Sequence, residues 1–193
     1  MKRVAILASG EGTNAENIIR YFSGRKTVEV ALIIVNKGEA GVLKRAERLN
    51  VPSRVIPARG FVDGEALAVL HQYKIDFIVL AGFLLKVPEG ILREYPHKVV
   101  NIHPALLPKF GGKGMYGSHV HEAVLAAGEK TSGITIHYAN GHYDEGEVIF
   151  QATCPVLPDD TAETLATRVH QLEYEHFPQV IEGVILSQIK EDY

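Results

Sequence analysis

The chain reads as an α/β protein: a mostly parallel, twisted central sheet flanked by helices, with antiparallel strands in its C-terminal half. Three observations predict this. Short, almost wholly apolar runs rich in Val and Ile recur along the first hundred residues, and helix-spaced amphipathic segments separate them. In the second half, two longer strand-like runs flank a Gly- and Asp-rich turn, the pattern of an antiparallel pair. Near-continuous apolar strands imply that both faces of the sheet are covered, as in doubly wound folds.

The first run, Val4 to Ala8, follows Lys2 and Arg3 as a signal peptide would, but five apolar residues before Ser9 and Gly10 make a strand instead. Strands are then expected at Val28 to Val35, Arg54 to Pro57, Phe77 to Ala81 and Val99 to Ile102. The intervening helices are expected at Asn14 to Ser23, Gly41 to Leu49, Val62 to Tyr73 and Pro88 to Glu94. A helix from Ser118 to Ala127 is stopped by Gly128. Ile134 to Tyr138 and Val148 to Val156 form the paired strands. A last helix starts at Asp160, with Glu163 at capping-box spacing and Leu165, Val169 and Leu172 on one face. Pro178 should kink or interrupt it before Val180 to Ile189. No repeat, low-complexity tract or linker divides the chain, so a single domain spans 1–193.

At 193 residues the chain can bury roughly two-thirds of its unfolded surface. Its 46% hydrophobic and 22% charged residues suit a globular protein. A formal charge of -3 supplies no global positive field, which argues against nucleic acid as a partner. No stretch approaches the ~20 apolar residues of a membrane helix. The single cysteine, Cys154, lies in a strand-like run and reads as a buried structural thiol, which suits a reducing cytoplasm.

Ser9-Gly10-Glu11-Gly12-Thr13-Asn14-Ala15 joins the first strand to the first helix with a G-x-G-x-x-[GA] spacing. Three readings fit: a cradle for a phosphate monoester, a dinucleotide fingerprint, or a structural tight turn. The dinucleotide needs an acidic residue after the second strand, where Asn36 and Lys37 stand; the Thr13 hydroxyl and Asn14 amide favour a small phosphate.

Asn101 and His103 close another expected strand and point the same way, presenting an amide beside an imidazole where open α/β sheets place their ligands. Such a pair can also merely cap nearby backbone groups. Beyond it, Leu107-Pro108 is expected to be cis. Gly111, Gly112, Gly114 and Gly117 form either a plain surface connection or a flap over bound substrates. His119 and His121 sit two apart on a helix and do not share a face, so no metal site is expected there. His71, His97, His142, His170 and His176 show no ligand spacing and read as surface or core residues.

The run Asn101-Ile-His-Pro-Ala-Leu-Leu-Pro108 resembles the motif of the folate-dependent formyltransferases. The likeness to their phosphoribosylglycinamide formyltransferase branch extends from Val4-Ala-Ile-Leu-Ala-Ser-Gly-Glu-Gly-Thr-Asn14 through Leu80-Ala-Gly-Phe83 to Tyr143-Asp144-Glu-Gly-Glu-Val-Ile149. It implies a single-domain Rossmann-like formyltransferase fold, with a phosphate-binding half at about 1–100 and a folate-binding and catalytic half at about 80–193. It implies formyl transfer from 10-formyltetrahydrofolate, without a metal, to the amine of 5'-phosphoribosylglycinamide in de novo purine biosynthesis. The implied partners are small molecules, with no nucleic acid and no membrane, acting on a cytoplasmic monomer or homodimer.

By the same resemblance, Asn101 and His103 are the catalytic amide and imidazole, and Asp144 the carboxylate supporting the histidine. Gly12, Thr13 and Asn14 match the substrate-phosphate loop, and Glu173 a glutamate that contacts the substrate. Leu84, Leu85, Lys86 and Val87, with Asn101, match the folate contacts, and His137 a histidine behind the site; His137 reads equally as a hydrogen-bonded core residue. The chain departs from the family at Leu85, where an arginine is usual, near Gly64, where a basic folate contact falls, and at Tyr174, where a histidine is often found. Arg59 or Lys86 is expected to substitute for the lost basic contacts. Chemically, Asn101 and a protonated His103 would stabilise an oxyanion, with Asp144 raising the histidine's pKa and relaying the amine's proton. A methionyl-tRNA or amino-sugar-nucleotide formyltransferase, a formyl-folate hydrolase and an inert folate-binding protein are the rival readings. The tRNA enzyme is disfavoured because the chain stops soon after its last helix, and the hydrolase because no N-terminal module precedes the domain.

Overall fold

The computed structural model describes residues 1–191. Five strands run parallel: β1 (Lys2–Ala8), β2 (Val28–Val35), β3 (Ser53–Val55), β4 (Phe77–Leu80) and β5 (Val99–His103). Two more, β6 (Thr131–Tyr138) and β7 (Val148–Pro155), run antiparallel. Their order across the sheet is β3-β2-β1-β4-β5-β6-β7. The helices are α1 (Thr13–Phe22), α2 (Val42–Arg48), α3 (Ala58–Val62), α4 (Glu65–Gln72), α5 (Glu89–Glu94), α6 (Ser118–Ala126) and α7 (Ala162–Glu191). The expected α/β class, parallel first half and antiparallel end are those of the structure.

Alternation along β1 explains why both faces are covered. Val4, Ile6 and Ala8 pack into the cluster that holds Ile18 of α1 and Leu165, Val169 and Phe177 of α7. Ala5 and Leu7 enter the opposite cluster, with Leu70 of α4 and Ile91 of α5. Full burial of side chains such as Ile6 and Leu7 contributes roughly 1.5–3 kcal/mol each.

Strand order reverses beside β1, with β2 and β3 on one side and β4 and β5 on the other. The loops leaving β1 and β4 therefore diverge and open a crevice at the strands' carboxyl ends. Ser9 joins its two lips: its N–H donates to Gly82 O at 3.0 Å, and its Oγ accepts the Leu84 N–H at 3.0 Å. Gly12 caps α1 with φ +75, and a Cβ there would lie 2.3 Å from the Val42 side chain. Glycine is thus required by both conformation and space.

Three local expectations change. The helix expected over Val62 to Tyr73 is two helices, α3 and α4, broken at Gly64 with φ +89; helix-spaced apolar residues continue across the break and hide it. The start of α7 is capped by Thr161, not Asp160. Thr161 Oγ1 accepts the Thr164 N–H at 3.2 Å while Thr164 Oγ1 accepts the Thr161 N–H at 2.9 Å. Asp160 instead holds Arg168 through two bonds of 2.8 and 3.0 Å. Finally, α7 runs without interruption through Pro178. Proline offers no N–H to the Tyr174 carbonyl four residues back, and Asn17 Nδ2 on α1 donates to that oxygen at 2.9 Å in its place.

Candidate active site

A cavity of about 1000 Å³ lies at the carboxyl ends of β1, β4 and β5. Every residue assigned to the site from sequence lines it: Gly12, Thr13 and Asn14 on one lip, Leu84 to Val87 on the other. Asn101, His103, His137, Asp144 and Glu173 complete its floor and sides. The glycine-rich segment from Gly112 to Gly117 also lines it, so this loop is part of the site and not a plain connection.

The central group is assembled from two strands and a loop. Asn101 and His103 end β5, and His137 on β6 is the register partner of Asn101. Asp144 sits in the β6–β7 connection in the left-handed region, φ +56, which aspartate tolerates better than most residues. Its Oδ2 lies 3.5 Å from His103 Nδ1 and accepts the Gly112 N–H at 3.0 Å. Its Oδ1 lies 3.4 Å from Asn101 Nδ2 and 3.6 Å from His137 Nε2. His103 is 3% exposed, and its Nε2 donates to the Phe110 carbonyl at 2.7 Å. The Leu107–Pro108 peptide bond is cis, as expected.

The electrostatics correct one expectation. Burial pushes the His103 pKa down, and this outweighs the Asp144 carboxylate and the Phe110 carbonyl, which both raise it. Asp144 pulls in the expected direction, but the histidine's net shift is below its usual value. Burial also disfavours the ionised form of Asp144. The nearby His137, the charge on His103 and the Gly112 N–H together overcome that and hold its carboxyl below the usual range.

Three histidines that spacing did not single out, His121, His142 and His170, line the cavity. His170, expected to be a mere surface or core residue, lines it and donates from Nδ1 to Glu173 Oε2 at 2.9 Å. That oxygen also accepts from Asn14 Nδ2 at 2.8 Å. The bond to Glu173, opposed by burial, raises the His170 pKa. The signal was present: a histidine three residues before a glutamate on a helix shares its face. His121 on α6 is buried with its ring 6.5 Å from that of His170, and burial lowers its pKa. His119 is exposed, so the two α6 histidines do not converge.

Of the expected basic substitutes, Lys86 lines the cavity, whereas Arg59 is engaged by Asp63 at 2.9 Å on α3 and does not. Gly64 caps α4 at φ +89, a conformation that strains any L side chain, and it too lies off the cavity. Lys113 of the glycine-rich loop is a second lysine on the cavity wall.

The formyl transferase family model matches residues 2–181. The chloroplastic phosphoribosylglycinamide formyltransferase of Arabidopsis thaliana is 38% identical, over 98% of this chain and 67% of that protein. The phosphoribosylglycinamide formyltransferase of Haemophilus influenzae is 34% identical, over 94% of this chain and 86% of its own length. The chain spans a far smaller part, 19%, of the trifunctional purine biosynthetic protein of Gallus gallus, to which it is 36% identical. Among solved structures, the phosphoribosylglycinamide formyltransferase of Bacillus halodurans superposes with a TM-score of 0.86 at 37% identity, covering 95% of each chain.

Proposed function

The chain belongs to the formyl transferase family, and from that premise we propose that it moves the formyl group of 10-formyltetrahydrofolate onto the amine of 5'-phosphoribosylglycinamide. The products are the N-formyl ribonucleotide and tetrahydrofolate, in purine biosynthesis. One observation carries the reading: Asn101, His103 and Asp144 meet between a phosphate-type loop and an apolar segment, in one cavity large enough for two ligands. On this reading the phosphate-binding half is about 1–100 and the folate-binding and catalytic half about 80–193, the two overlapping from the end of β4 through α5 to the start of β5. A reducing cytoplasm suits the buried, unpaired Cys154.

Gly12, Thr13 and Asn14 bind the substrate phosphate through the unpaired N–H groups at the start of α1 together with the Thr13 hydroxyl and the Asn14 side-chain amide. The lip carries no cation of its own. His170, held beside Asn14 by the shared Glu173 oxygen, adds positive charge there whenever it is protonated, which its bond to Glu173 favours. Glu173 orients the ribonucleotide from the same corner. Leu84, Leu85 and Val87 offer an apolar wall with backbone polar groups for a flat heterocycle, and Lys86 and Lys113 offer charge for the folate's carboxylates.

Asn101 donates an amide hydrogen to the oxyanion that forms when the amine attacks the formyl carbon, a contribution of roughly 3–4 kcal/mol per donor in well-ordered sites. The 3.4 Å bond from Asn101 to Asp144 is long, and it is the one that gives way. His103 holds its proton weakly until negative charge develops beside it, which is when donation is useful. Both its nitrogens are committed in the structure, so donation requires the Phe110 carbonyl to withdraw. Phe110 at φ +55 and Gly112 at φ +96 lie where the backbone can turn. Asp144 stabilises the imidazolium and, directly or through water, passes the amine's proton to the departing folate nitrogen.

Purified protein given 10-formyltetrahydrofolate and 5'-phosphoribosylglycinamide should release tetrahydrofolate and the N-formyl product in equal amounts. Turnover with methionyl-tRNA alone would overturn the reading.

A further inference from the structure

We infer that His137 is a positioning residue for the transfer: fixed as its Nδ1–H tautomer, it accepts one amide hydrogen of Asn101 and thereby aims the other at the reacting centre. What that second hydrogen meets rests on the proposed formyl transfer. The hydrogen-bond chain behind it stands on geometry alone.

His137 Nδ1 lies 2.9 Å from the Tyr138 carbonyl oxygen. A carbonyl only accepts, so Nδ1 carries a proton. On the other side of the ring, Nε2 lies 3.1 Å from Asn101 Nδ2, which also sits 3.4 Å from Asp144 Oδ1. An ionised carboxylate only accepts, so the amide must turn its nitrogen toward Asp144, since its oxygen there would be repelled. With the nitrogen so placed, Nε2 faces a donor and must present a lone pair. The imidazole is therefore neutral and protonated on Nδ1, the tautomer less favoured in water, and buried at 2% exposure.

The rival state is an imidazolium whose Nε2–H points at Asp144 Oδ1, 3.6 Å away. It would place a proton against the Asn101 nitrogen at 3.1 Å, two donors facing each other, and would force the amide over. The amide oxygen would then face Asp144. Surrounding backbone favours the neutral form. A Cβ on Gly146 would lie 1.6 Å from Tyr138 O, so only glycine lets the β6–β7 connection pass while that carbonyl stays on Nδ1. Register does the rest, because Asn101 and His137 are paired directly across β5 and β6.

The consequence is a division of labour between the two hydrogens of one amide. The shorter bond, to His137, anchors; the longer, to Asp144, is exchanged for the oxyanion.

The test begins with nitrogen-15 NMR of the full chain at neutral pH. It should show His137 Nε2 unprotonated, Nδ1 protonated and a scalar coupling between Asn101 Nδ2 and His137 Nε2. An Nε2–H tautomer or an imidazolium overturns the inference, whatever the enzyme's activity. His137→Gln, whose side-chain oxygen can accept the same hydrogen, should keep kcat within about tenfold, whereas His137→Leu should lower it about 100-fold with little change in either KM. Equal losses in the two variants, or an effect confined to KM, also overturn it. Should Asn101→Ala leave kcat intact while the NMR coupling is seen in the parent, the formyl-transfer role of Asn101 fails and the hydrogen-bond chain stands.

Discussion

Asn14 and Glu173, far apart in the chain, share a hydrogen bond of 2.8 Å from Nδ2 to Oε2, so the first loop is braced by the last helix. If that loop holds the ribonucleotide's phosphate, Thr13→Ala combined with Asn14→Ala should raise the KM for the ribonucleotide about tenfold or more, the effect of losing bonds to a charged group. The KM for the folate should change less than about twofold. Steady-state kinetics with each substrate varied in turn checks this, and equal effects on both would place the phosphate elsewhere.

The same Glu173 oxygen raises the pKa of His170, so this imidazole stays charged to higher pH than an unpaired one. Glu173→Gln should move the His170 titration to lower pH, as read by NMR. A raised folded-state pKa contributes stability that is full below the unfolded value of about 6.5 and is lost as pH rises through the folded one. The parent should therefore lose part of its advantage over the variant on the alkaline side. Its KM for the ribonucleotide should rise over the same interval.

Gly12→Ala should destabilise the protein by about 1–3 kcal/mol, because the new Cβ would lie 2.3 Å from Val42 and the φ of +75 is unfavourable to alanine. Gly10→Ala is the control, since a Cβ there meets nothing within 4 Å. Urea denaturation of both variants decides the matter: similar midpoints would mean that Gly12 is not sterically required.

What sequence conveys about this molecule is divided by distance along the chain. The strands of the first half and the Asn101–His103 pair are local patterns, and the structure places them within a residue or two of expectation, the third strand being Ser53–Val55 where Arg54 to Pro57 was expected. β6 begins at Thr131, ahead of the expected Ile134, because Gly133 breaks the apolar pattern. That glycine is there because a Cβ would lie 1.9 Å from the Ala152 carbonyl of β7, a neighbour that local sequence does not reveal. Pro178 reads as a helix breaker until Asn17, on a helix at the other end of the chain, is seen to satisfy the carbonyl it strands. His170 joins the site only because α7 packs against α1. The His103 shift likewise depends on how deeply the ring is buried, whereas its carboxylate partner was legible from motif.

The last prediction concerns that pair. Asp144 raises the His103 pKa against the larger effect of burial, so removing its charge leaves burial less opposed. In Asp144→Asn the His103 titration should therefore fall further below its ordinary value. The alkaline limb of kcat/KM, where the histidine loses the proton it must donate, should move to lower pH with it. The maximal rate should drop about 100-fold or more, because the proton relay and the support for the imidazolium go together. Asp144 itself has a depressed pKa, so its contribution to folding is present above the unfolded value of about 3.9 and is lost as pH falls through the folded one. The stability gap between parent and variant should accordingly narrow in acid. Kinetic pKa values can belong to a coupled pair, so an NMR titration of His103 must accompany the rate profile. An unmoved titration together with an unmoved alkaline limb would show that Asp144 does not hold the histidine's proton, and the relay through it would have to be abandoned.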